Sequence, residues 1–589
     1  MLVVSSLLLS KVLAENTDVV PGTSFTPAAD DAGADGWGTE KLSSAANKRL
    51  KELVTYFTGS KTEPERQLAE LAAVDLSIES LRPTELETVF EDPAYLIRRA
   101  KPSSSKQLTT GLASLEKELK GVTGFVQNPS EVHTKVKVFR VKAEGPLVKI
   151  SAYIQTWGSC ARGTFQMNAT WDCDWYVVDG VMALGKLTVS DYLEVIGTGS
   201  ENGAPMFSDC TEAILGETPA FYEQLTPSMD QWLHRLEIQY HINIGGWEGI
   251  SIADVNGDGL DDLYLPQPGG LPNRLFVQQP DGTCVDRSAE SGTDWLNQSH
   301  GAVFADLDND GDQDLVVGVH DGLVVMANDG TGKFTTRSGL ILPAAVPYSI
   351  TVADYDVDGD LDIYASCYDR RSGVNRHRIF AKAIPYHDAN NGGRNVLLRN
   401  EATPTEGAWT FRYVTGEAGL EENNRRFSYA SAWEDYDNDG DLDLYVANDF
   451  GRNNLYRNDG GKFTDVAAAA GVEDISAGMS VTWTDYNNDG WMDIYISNMF
   501  SSAGNRIAFQ REFQSDADGE TKEIFQRHAR GNTLFENAKD GTFKDVSLEA
   551  GVTLGRWAWG SRFVDLNNDG WQDILVANGF LTQTGTDDL

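Results

Sequence analysis

Six copies of a nine-residue acidic motif constrain this 589-residue chain more than any other feature of its sequence. Each copy reads Asp, any residue, Asp or Asn, any residue, Asp, Gly, two further residues and Asp, as in DLDNDGDQD. The copies begin at Asp254, Asp306, Asp354, Asp435, Asp485 and Asp565. Their starting points lie about 50 or about 80 residues apart, which indicates a repeated unit of about 50 residues that is enlarged by about 30 in two places.

Carboxylates packed this closely repel one another unless a cation lies between them. Calcium takes roughly six to eight oxygen ligands in irregular geometry, whereas magnesium requires a stricter octahedron and keeps several waters. Side chains at positions one, three, five and nine can supply oxygens, the glycine at six permits a sharp turn, and the variable residue at seven can offer its backbone carbonyl. The motif therefore predicts several calcium ions, up to six for the whole chain.

The predicted ligands follow directly from these positions in each copy. They are Asp254, Asn256, Asp258, Leu260 and Asp262; Asp306, Asp308, Asp310, Asp312 and Asp314; Asp354, Asp356, Asp358, Asp360 and Asp362; Asp435, Asp437, Asp439, Asp441 and Asp443; Asp485, Asn487, Asp489, Trp491 and Asp493; and Asp565, Asn567, Asp569, Trp571 and Asp573. Copies one, five and six have Asn at position three, so we expect them to bind calcium more weakly than copies two, three and four.

Two other interpretations of the motif are less consistent with the sequence. An EF-hand loop needs Glu at position twelve and flanking helices. Here position twelve is apolar or aromatic, and the flanks GAVFADL and DLVVGVH alternate in the manner of strands. An Asp-Gly turn that binds nothing would explain one copy, but six copies with the same positions filled favour a metal site.

The second half of each unit is also repeated, as NNLYRNDGGKFTDVAAAAGV and GNTLFENAKDGTFKDVSLEAGV show. Strand, metal loop, strand, strand, turn and strand make a four-stranded sheet, and repetition of such sheets predicts a β-propeller. The region 245–589 resembles the FG-GAP, or VCBS, repeats of the integrin α-chain propeller, and in particular ASPIC/UnbV (cartilage-acidic-protein-like) chains. The resemblance implies a mainly β protein with six calcium-loop blades, six or seven blades in total, and an extracellular location.

The residues before the propeller divide into four predicted segments. Residues 1–14 are an apolar leader typical of a signal peptide, with a buried N-terminal strand or helix as the alternative, and residues 15–40 read as a flexible leader. Residues 41–84 have helical periodicity, continued by ERQLAELAAVDLSIESL. An α+β domain is expected over 85–235, with the propeller over 236–589.

Strict alternation marks one long strand in the α+β domain. The alternating residues are Phe165, Met167, Ala169, Trp171, Cys173, Trp175 and Val177. Asp179 and Gly180 then predict a tight hairpin before the next strand. Helices followed by long antiparallel strands resemble the cone-shaped nuclear-transport-factor-2-like (NTF2-like) domain, although the aromatic stripe is more typical of core than of a ligand pocket. Of the five cysteines, Cys160 and Cys173 are the expected disulfide pair.

The two enlargements fall between the second and third strands of their units, so both should project from the face opposite the calcium loops. Long loops in a compact domain are often functional. The candidate ligand face contains Arg376, His377, Arg378, His387, Arg506, Arg527 and His528. The alternative is that the two enlarged loops are solvent-exposed segments without a binding role, or that they form contacts between copies of the chain in an oligomer.

A formal net charge of −40 disfavours binding to nucleic acid phosphates and anionic lipid. No apolar stretch after the leader has the length of a membrane span. The function expected from the sequence is a calcium-binding extracellular scaffold for protein or glycan binding or adhesion, located in secreted, periplasmic or cell-surface form. The alternative is a propeller enzyme acting on polysaccharide as a lyase or hydrolase, for which the sequence offers no paired acid and base.

Overall fold

The computed structural model describes residues 37–58, 68–101, 107–126, 131–178, 181–197, 207–227, 231–232, 235, 249–342, 345–369, 383–402 and 407–579. The chain divides into two compact units. The N-terminal unit comprises Met1–Ser208 together with Ser502–Asp516, and the repeat unit comprises Asp209–Ser501 and Ala517–Leu589. The boundary thus lies earlier than the expected position after residue 235, and one stretch of the second enlargement belongs to the N-terminal unit.

Helices are few and mostly short. Within the described ranges the α-helices are α1 Gly38–Thr58, α2 Leu112–Val122, α3 Thr211–Leu215, α4 Ser288–Ser291, α5 Ala467–Ala470, α6 Ser502–Ala508 and α7 Gly519–His528. A 3₁₀ turn covers Leu68–Glu70 and a π-helical turn covers Phe221–Leu225. Across the described part of the chain, no helix has the length and apolar character needed to cross a bilayer.

An eight-stranded sheet organises the N-terminal unit. Its strands are β1 Ala72–Ile78, β2 Leu86–Glu91, β3 Tyr95–Ala100, β4 Thr109–Thr110, β5 His133–Glu144, β6 Leu147–Cys160, β7 Gly163–Val178 and β8 Val181–Gly197. The main path runs β2-β3-β8-β7-β6-β5, with β1 beside β8 and β4 beside β1. Leu50, Leu53 and Val54 of α1 lie at helical spacing and join the core of this unit.

The helical prediction for residues 41–84 is correct for α1 but wrong near its end. Residues Ala72–Ile78 form strand β1, which pairs in parallel with β8. Leu76 and Ile78 point into the core from this strand. Pairing with a strand more than a hundred residues away decides the conformation, and local periodicity does not reveal such a partner.

The alternating stripe on β7 is confirmed. Phe165, Met167, Trp171, Cys173 and Trp175 are buried, while residues between them are half-buried or exposed. Strands β7 and β8 pair up to Val178 and Val181, on either side of the expected hairpin turn. The fold therefore has the small α+β domain that the sequence predicted, and its assignment as NTF2-like stays a prediction.

The expected Cys160–Cys173 disulfide is wrong, because all five cysteines are free thiols. Cys160 is the last residue of β6 and pairs with Gly163, whereas Cys173 pairs with Ile150. Ten residues of extended strand separate positions 163 and 173, which is about 33 Å. A disulfide requires Cα atoms within about 7 Å.

The repeat unit is built from antiparallel sheets whose strands follow one another in sequence order. The described residues give five four-stranded sheets and one two-stranded sheet. The strands of the first three sheets are β9 Ser251–Ala253, β10 Asp262–Leu265, β11 Arg274–Gln278, β12 Cys284–Asp286; β13 Ser299–Ala305, β14 Asp314–Val319, β15 Gly322–Ala327, β16 Thr335–Ile341; and β17 Val346–Ala353, β18 Asp362–Asp369, β19 Val396–Asn400, β20 Phe411–Tyr413.

The remaining sheets continue the same plan. Their strands are β21 Phe427–Glu434, β22 Asp443–Phe450, β23 Asn454–Asn458, β24 Phe463–Asp465; β25 Gly478–Thr484, β26 Asp493–Asn498, β27 Thr533–Asn537, β28 Phe543–Asp545; and β29 Ala558–Val564 with β30 Asp573–Asn578. First strands of successive sheets, such as β17 and β21, lie side by side. Apolar side chains fill the space between neighbouring sheets, which is the blade arrangement of a propeller.

Candidate metal sites

Each acidic motif lies between the first and second strands of a blade. The first strand ends immediately before position one, and the second strand begins at position nine, as Ala305 and Asp314 show for blade two. The same placement holds for all six copies. The loops are therefore strand connections, as predicted, and not the helix-flanked loops of an EF-hand.

The position-one carboxylate closes the loop by accepting two backbone hydrogen bonds. In blade two, Asp306 Oδ1 accepts from Asp310 N at 3.1 Å and Asp306 Oδ2 from Gly311 N at 3.0 Å. The other five copies contain the same two contacts. Gly311 has a φ of 97°, a left-handed conformation that favours glycine.

Position four is a feature of the loop that the sequence analysis missed. Its residue is also left-handed in every copy, with φ values near 60° for Asn309 and Asn438. Asn and Gly tolerate this conformation, and they occupy position four in five of the copies. Val357 is the exception, with a φ of 57° on a β-branched residue.

The position-nine carboxylate is buried and ties the loop to the third strand. Asp314 Oδ2 accepts from Leu307 N at 2.9 Å and Oδ1 from Asn328 N at 3.0 Å. Equivalent pairs of contacts hold Asp262, Asp443 and Asp493. Position nine therefore has a structural role in addition to the ligand role predicted for it.

The third-strand asparagine that follows is a second missed feature. Asn328 Nδ2 donates to the carbonyl of Val255, which occupies position two of the preceding blade's loop, at 2.8 Å. Asn400, Asn458 and Asn537 make the same contact with the loops before them. The recurring Asn in MAND, LRNE, YRND and FENA is the sequence signal for this link between neighbouring loops.

Blades two, three and four bring three carboxylates each into one cluster. The clusters are Asp306, Asp308 and Asp314; Asp354, Asp356 and Asp362; and Asp435, Asp437 and Asp443. In each cluster one oxygen from every carboxylate lies within 4.8 Å of the others. All three of these blades have Asp at position three. In blades one and six, position three is Asn256 or Asn567, whose side-chain amide donates a hydrogen bond to the position-five carboxylate of its own loop at 3.1 or 2.9 Å.

The surroundings of the position-three carboxylates show whether the clusters are suited to a cation. Oδ1 of Asp308, Asp356 and Asp437 is buried in each case and has no hydrogen-bond donor among the described residues. Asp356 pairs with Arg399 through Oδ2 at 3.5 Å, but its Oδ1, like those of Asp308 and Asp437, is left without a donor in the described part of the chain. A buried carboxylate oxygen without a donor is costly, so the same orphaned atom in three blades indicates a missing cation. Oxygen-only donors of this kind suit a hard cation such as calcium.

Electrostatics lead to the same conclusion. Burial, with neighbouring carboxylates adding to it, raises the pKa of Asp314 to about 7 and that of Asp443 to about 8. Burial also raises the pKa of Asp308 and that of Asp437, and the negative charge of the adjacent position-five Asp is the next largest cause of each rise. The clusters therefore resist full ionisation unless a cation compensates the charge.

The sequence predicted a role only for the backbone carbonyl at position seven, but two of the side chains at this position also form hydrogen bonds. Asp441 Oδ2 accepts from Gly460 N at 2.7 Å, and Asp360 Oδ1 accepts from Asn309 Nδ2 of the preceding blade at 2.8 Å. Burial and the nearby Asp310 raise the pKa of Asp312 to about 6. Leu260, Trp491 and Trp571 hold this position elsewhere, so only the backbone carbonyl is common to all copies.

The predicted ligand face is only partly accessible. Arg376, His377 and Arg378 lie outside the described residues. Arg527 pairs with Asp474 at 3.0 Å and Asp545 at 2.9 Å, because the buried Asp474 requires a cation. His528 is half-buried, and burial of its ring lowers its pKa.

Arg506 also serves an internal contact, pairing with Glu40 at 2.7 Å inside the N-terminal unit. The two enlarged segments meet within the repeat unit, where Tyr386 stacks on Phe525 at 6.1 Å and His387 lies 5.5 Å from the same ring. Of the named face residues that the structure describes, His387 and His528 are half-buried and have no ion pair among the described residues.

Known proteins with similar sequences support the repeat assignment. Residues 254–317, 306–365, 435–496 and 516–576 match the FG-GAP-like repeat family. Cartilage acidic protein 1 of Homo sapiens is 31% identical over 142 residues, which is 23% of this chain and 21% of the relative. The Xenopus tropicalis protein of the same name is 26% identical over 214 residues, 34% of this chain and 29% of the relative. The match thus spans less than a third of either relative.

Among solved structures, an Agrocybe aegerita lectin that recognises non-reducing terminal N-acetylglucosamine is 17% identical to this chain. The alignment covers 57% of this chain and 75% of the lectin, with a TM-score of 0.33. A likeness at this level carries no functional argument.

Proposed function

We propose that this chain, which carries FG-GAP-like repeats, is a calcium-binding propeller scaffold that acts outside the cytosol by binding a protein or glycan partner. The observation that carries the proposal is the orphaned, buried Oδ1 atom of Asp308, Asp356 and Asp437. Each atom belongs to a cluster of three carboxylates whose oxygens converge within 4.8 Å. In the metal-bound protein, the side chains at positions one, three, five and nine would hold calcium together with the position-seven carbonyl.

Calcium would act here as a structural ion. Because the position-nine carboxylate also binds the third strand, and the third-strand asparagine binds the preceding loop, an ion in one loop stabilises two adjacent blades. Binding that favours the folded state adds about 2.7 kcal/mol per site at a hundredfold excess over the dissociation constant. The proposed extracellular location rests on the apolar leader predicted for residues 1–14 and on the resemblance of the loops to those of extracellular calcium modules, which bind calcium at about 0.1–1 mM.

Thermal unfolding of the full chain tests the calcium role. We expect chelation with EDTA to lower the melting temperature and calcium to restore it more effectively than magnesium. Asp308→Ala should reduce the calcium-dependent part of the shift, whereas Asp294→Asn, at an exposed site outside the motifs, should leave it unchanged. A melting temperature that is indifferent to EDTA and calcium would refute the role.

The partner role needs a separate test. The protein, loaded with calcium, should be screened against extracellular proteins and against a glycan array, with polysaccharide depolymerisation measured in parallel. Saturable binding without depolymerisation supports a scaffold. Turnover of a polysaccharide would instead establish the enzymatic alternative.

A further inference from the structure

A carboxylate with no ion pair among the described residues lies among aromatic rings at the end of blades three and four that is opposite the calcium loops. Asp449 is the penultimate residue of β22, and Tyr368 occupies the same place in β18. Tyr348 and Tyr429 lie near the starts of first strands β17 and β21. Second strands run away from the calcium loops and first strands run toward them, so these four residues share one end of the two blades.

The aromatic rings form a continuous cluster. Tyr348 stacks on Tyr368 at 5.0 Å, and Tyr429 lies 5.8 Å from Tyr348 and 6.0 Å from Tyr368. Tyr348 and Tyr368 are buried, whereas Tyr429 and Asp449 are partly exposed. The cluster is therefore accessible to solvent on the side of Asp449 and Tyr429.

Asp449 has no positive partner among the described residues. Its Oδ2 accepts a hydrogen bond from the Tyr368 hydroxyl at 2.6 Å, which is a neutral contact. Three arginines near Asp449 along the chain pair with other carboxylates: Arg452 with Asp388 and Glu473, Arg457 with Asp459, and Arg426 with Asp388. His528, which contacts the neighbouring Phe450, is half-buried, and burial of its ring lowers its pKa.

The repeats themselves indicate that this carboxylate is not required by the blade fold. The position equivalent to Asp449, six residues after position nine, holds Pro268, His320, Tyr368, Met499 and Gly579 in the other blades. The blade thus folds with a neutral or apolar residue here. A half-buried carboxylate that has a neutral hydrogen-bond donor but no cation beside it among the described residues needs another explanation.

We propose that Asp449, together with the partly exposed ring of Tyr429, binds an organic ammonium group, such as the side-chain ammonium of a lysine or methylated lysine. The buried Tyr348, which is stacked on both His300 and Tyr368, and the Tyr368 hydroxyl hold this ring and carboxylate in place. Aromatic faces attract cations through their quadrupole, and a carboxylate beside them adds a full countercharge. The proposal deepens the scaffold function, on which it rests, by naming the chemistry that one partner contact would use. Ammonium binding and calcium binding involve opposite ends of the blades, so their failures can be told apart.

Saturation-transfer NMR with tetramethylammonium chloride as the probe tests the site in the calcium-loaded full chain. We expect saturable binding that Asp449→Asn weakens by about tenfold, equivalent to about 1.4 kcal/mol. Asparagine keeps an acceptor for the Tyr368 hydroxyl, so folding should be preserved and is checked by melting temperature. Tyr429→Leu should weaken binding too, and the exposed control Asp294→Asn should not.

Two results would overturn the assignment. Absence of saturable binding to the folded wild-type chain, relative to sodium chloride at equal ionic strength, is one. Equal affinity of wild type and Asp449→Asn is the other. Retained tetramethylammonium binding in a chain whose melting ignores calcium would support this site while refuting the calcium role.

Discussion

Replacing Asp308 with asparagine should change the stability of the protein in opposite directions with and without calcium. In the metal-free chain, Asp308 Oδ1 is buried and has no hydrogen-bond donor among the described residues. Burial is the largest cause of the raised pKa of this carboxyl, and the negative charges of Asp310 and Asp306 raise it further. Asparagine removes the charge while keeping the shape. An unsatisfied buried polar atom costs about 1–3 kcal/mol, so Asp308→Asn should stabilise the EDTA-treated protein by about 1 kcal/mol.

Calcium reverses the sign because the same oxygen becomes a ligand. Blades one, five and six carry asparagine at this position naturally, so binding should weaken without being lost. A tenfold weaker dissociation constant lowers the calcium-dependent stabilisation by about 1.4 kcal/mol. For a domain of a few hundred residues, each kcal/mol corresponds to about 2–4 °C in melting temperature.

The assay is circular dichroism melting of wild type, Asp308→Asn and the exposed control Asp294→Asn, each in EDTA and in millimolar calcium. The variant should melt about 2–4 °C above wild type in EDTA, whereas in calcium the gain of about 1 kcal/mol and the loss of about 1.4 kcal/mol leave it about 0.4 kcal/mol, or about 1 °C, below wild type. The rise in melting temperature on adding calcium should therefore be about 3–6 °C smaller in the variant than in wild type. The control should track wild type in both buffers. A shift of the same sign in both conditions would refute the interpretation of Asp308 as a metal ligand.

Three further predictions concern other parts of the repeat unit. Val357→Asn should raise stability by about 1 kcal/mol in either buffer, because Val357 is exposed and left-handed; an unchanged melting temperature would contradict this. Asn458→Ala should cost about 3 kcal/mol, because it leaves the carbonyls of Tyr355 and Leu442 without the Nδ2 donor, whereas the exposed Asn297→Ala should cost little. Burial raises the pKa of Asp449 to about 6, so the stability that its protonated form contributes is present below about pH 4 and is lost as pH rises through 6. Asp449→Asn should therefore match wild type near pH 4 and exceed it by about 3 kcal/mol at pH 8, and a gain independent of pH would contradict the cause.

Local chemistry allowed the metal loops and blades to be predicted from sequence. The Asp-Gly spacing fixes a turn, and the alternating flanks fix the strands, so both features depend on neighbouring residues alone. The left-handed position four could also have been predicted, since Asn or Gly fills it in all copies but that of Val357. The third-strand asparagines recur visibly, but their partners are carbonyls in a different blade.

Features that depend on distant pairing were not predictable in the same way. Strand β1 has helical spacing in its sequence and becomes a strand only because β8 offers a parallel edge. Arg527 has the appearance of a free surface cation in sequence, yet it neutralises the buried Asp474 about fifty residues earlier. The pairing of Tyr368 with Asp449 joins two blades and has no local signal.

Isothermal titration calorimetry of calcium into the EDTA-stripped full chain tests the central claim most directly. We expect saturable calcium uptake at several sites and only weak competition by magnesium. The number or affinity of the tightest sites should fall when Asp308, Asp356 and Asp437 are all replaced by asparagine. Absence of calcium uptake by the folded chain, or an unchanged isotherm in the triple variant, would contradict the claim that the repeated acidic loops are calcium sites.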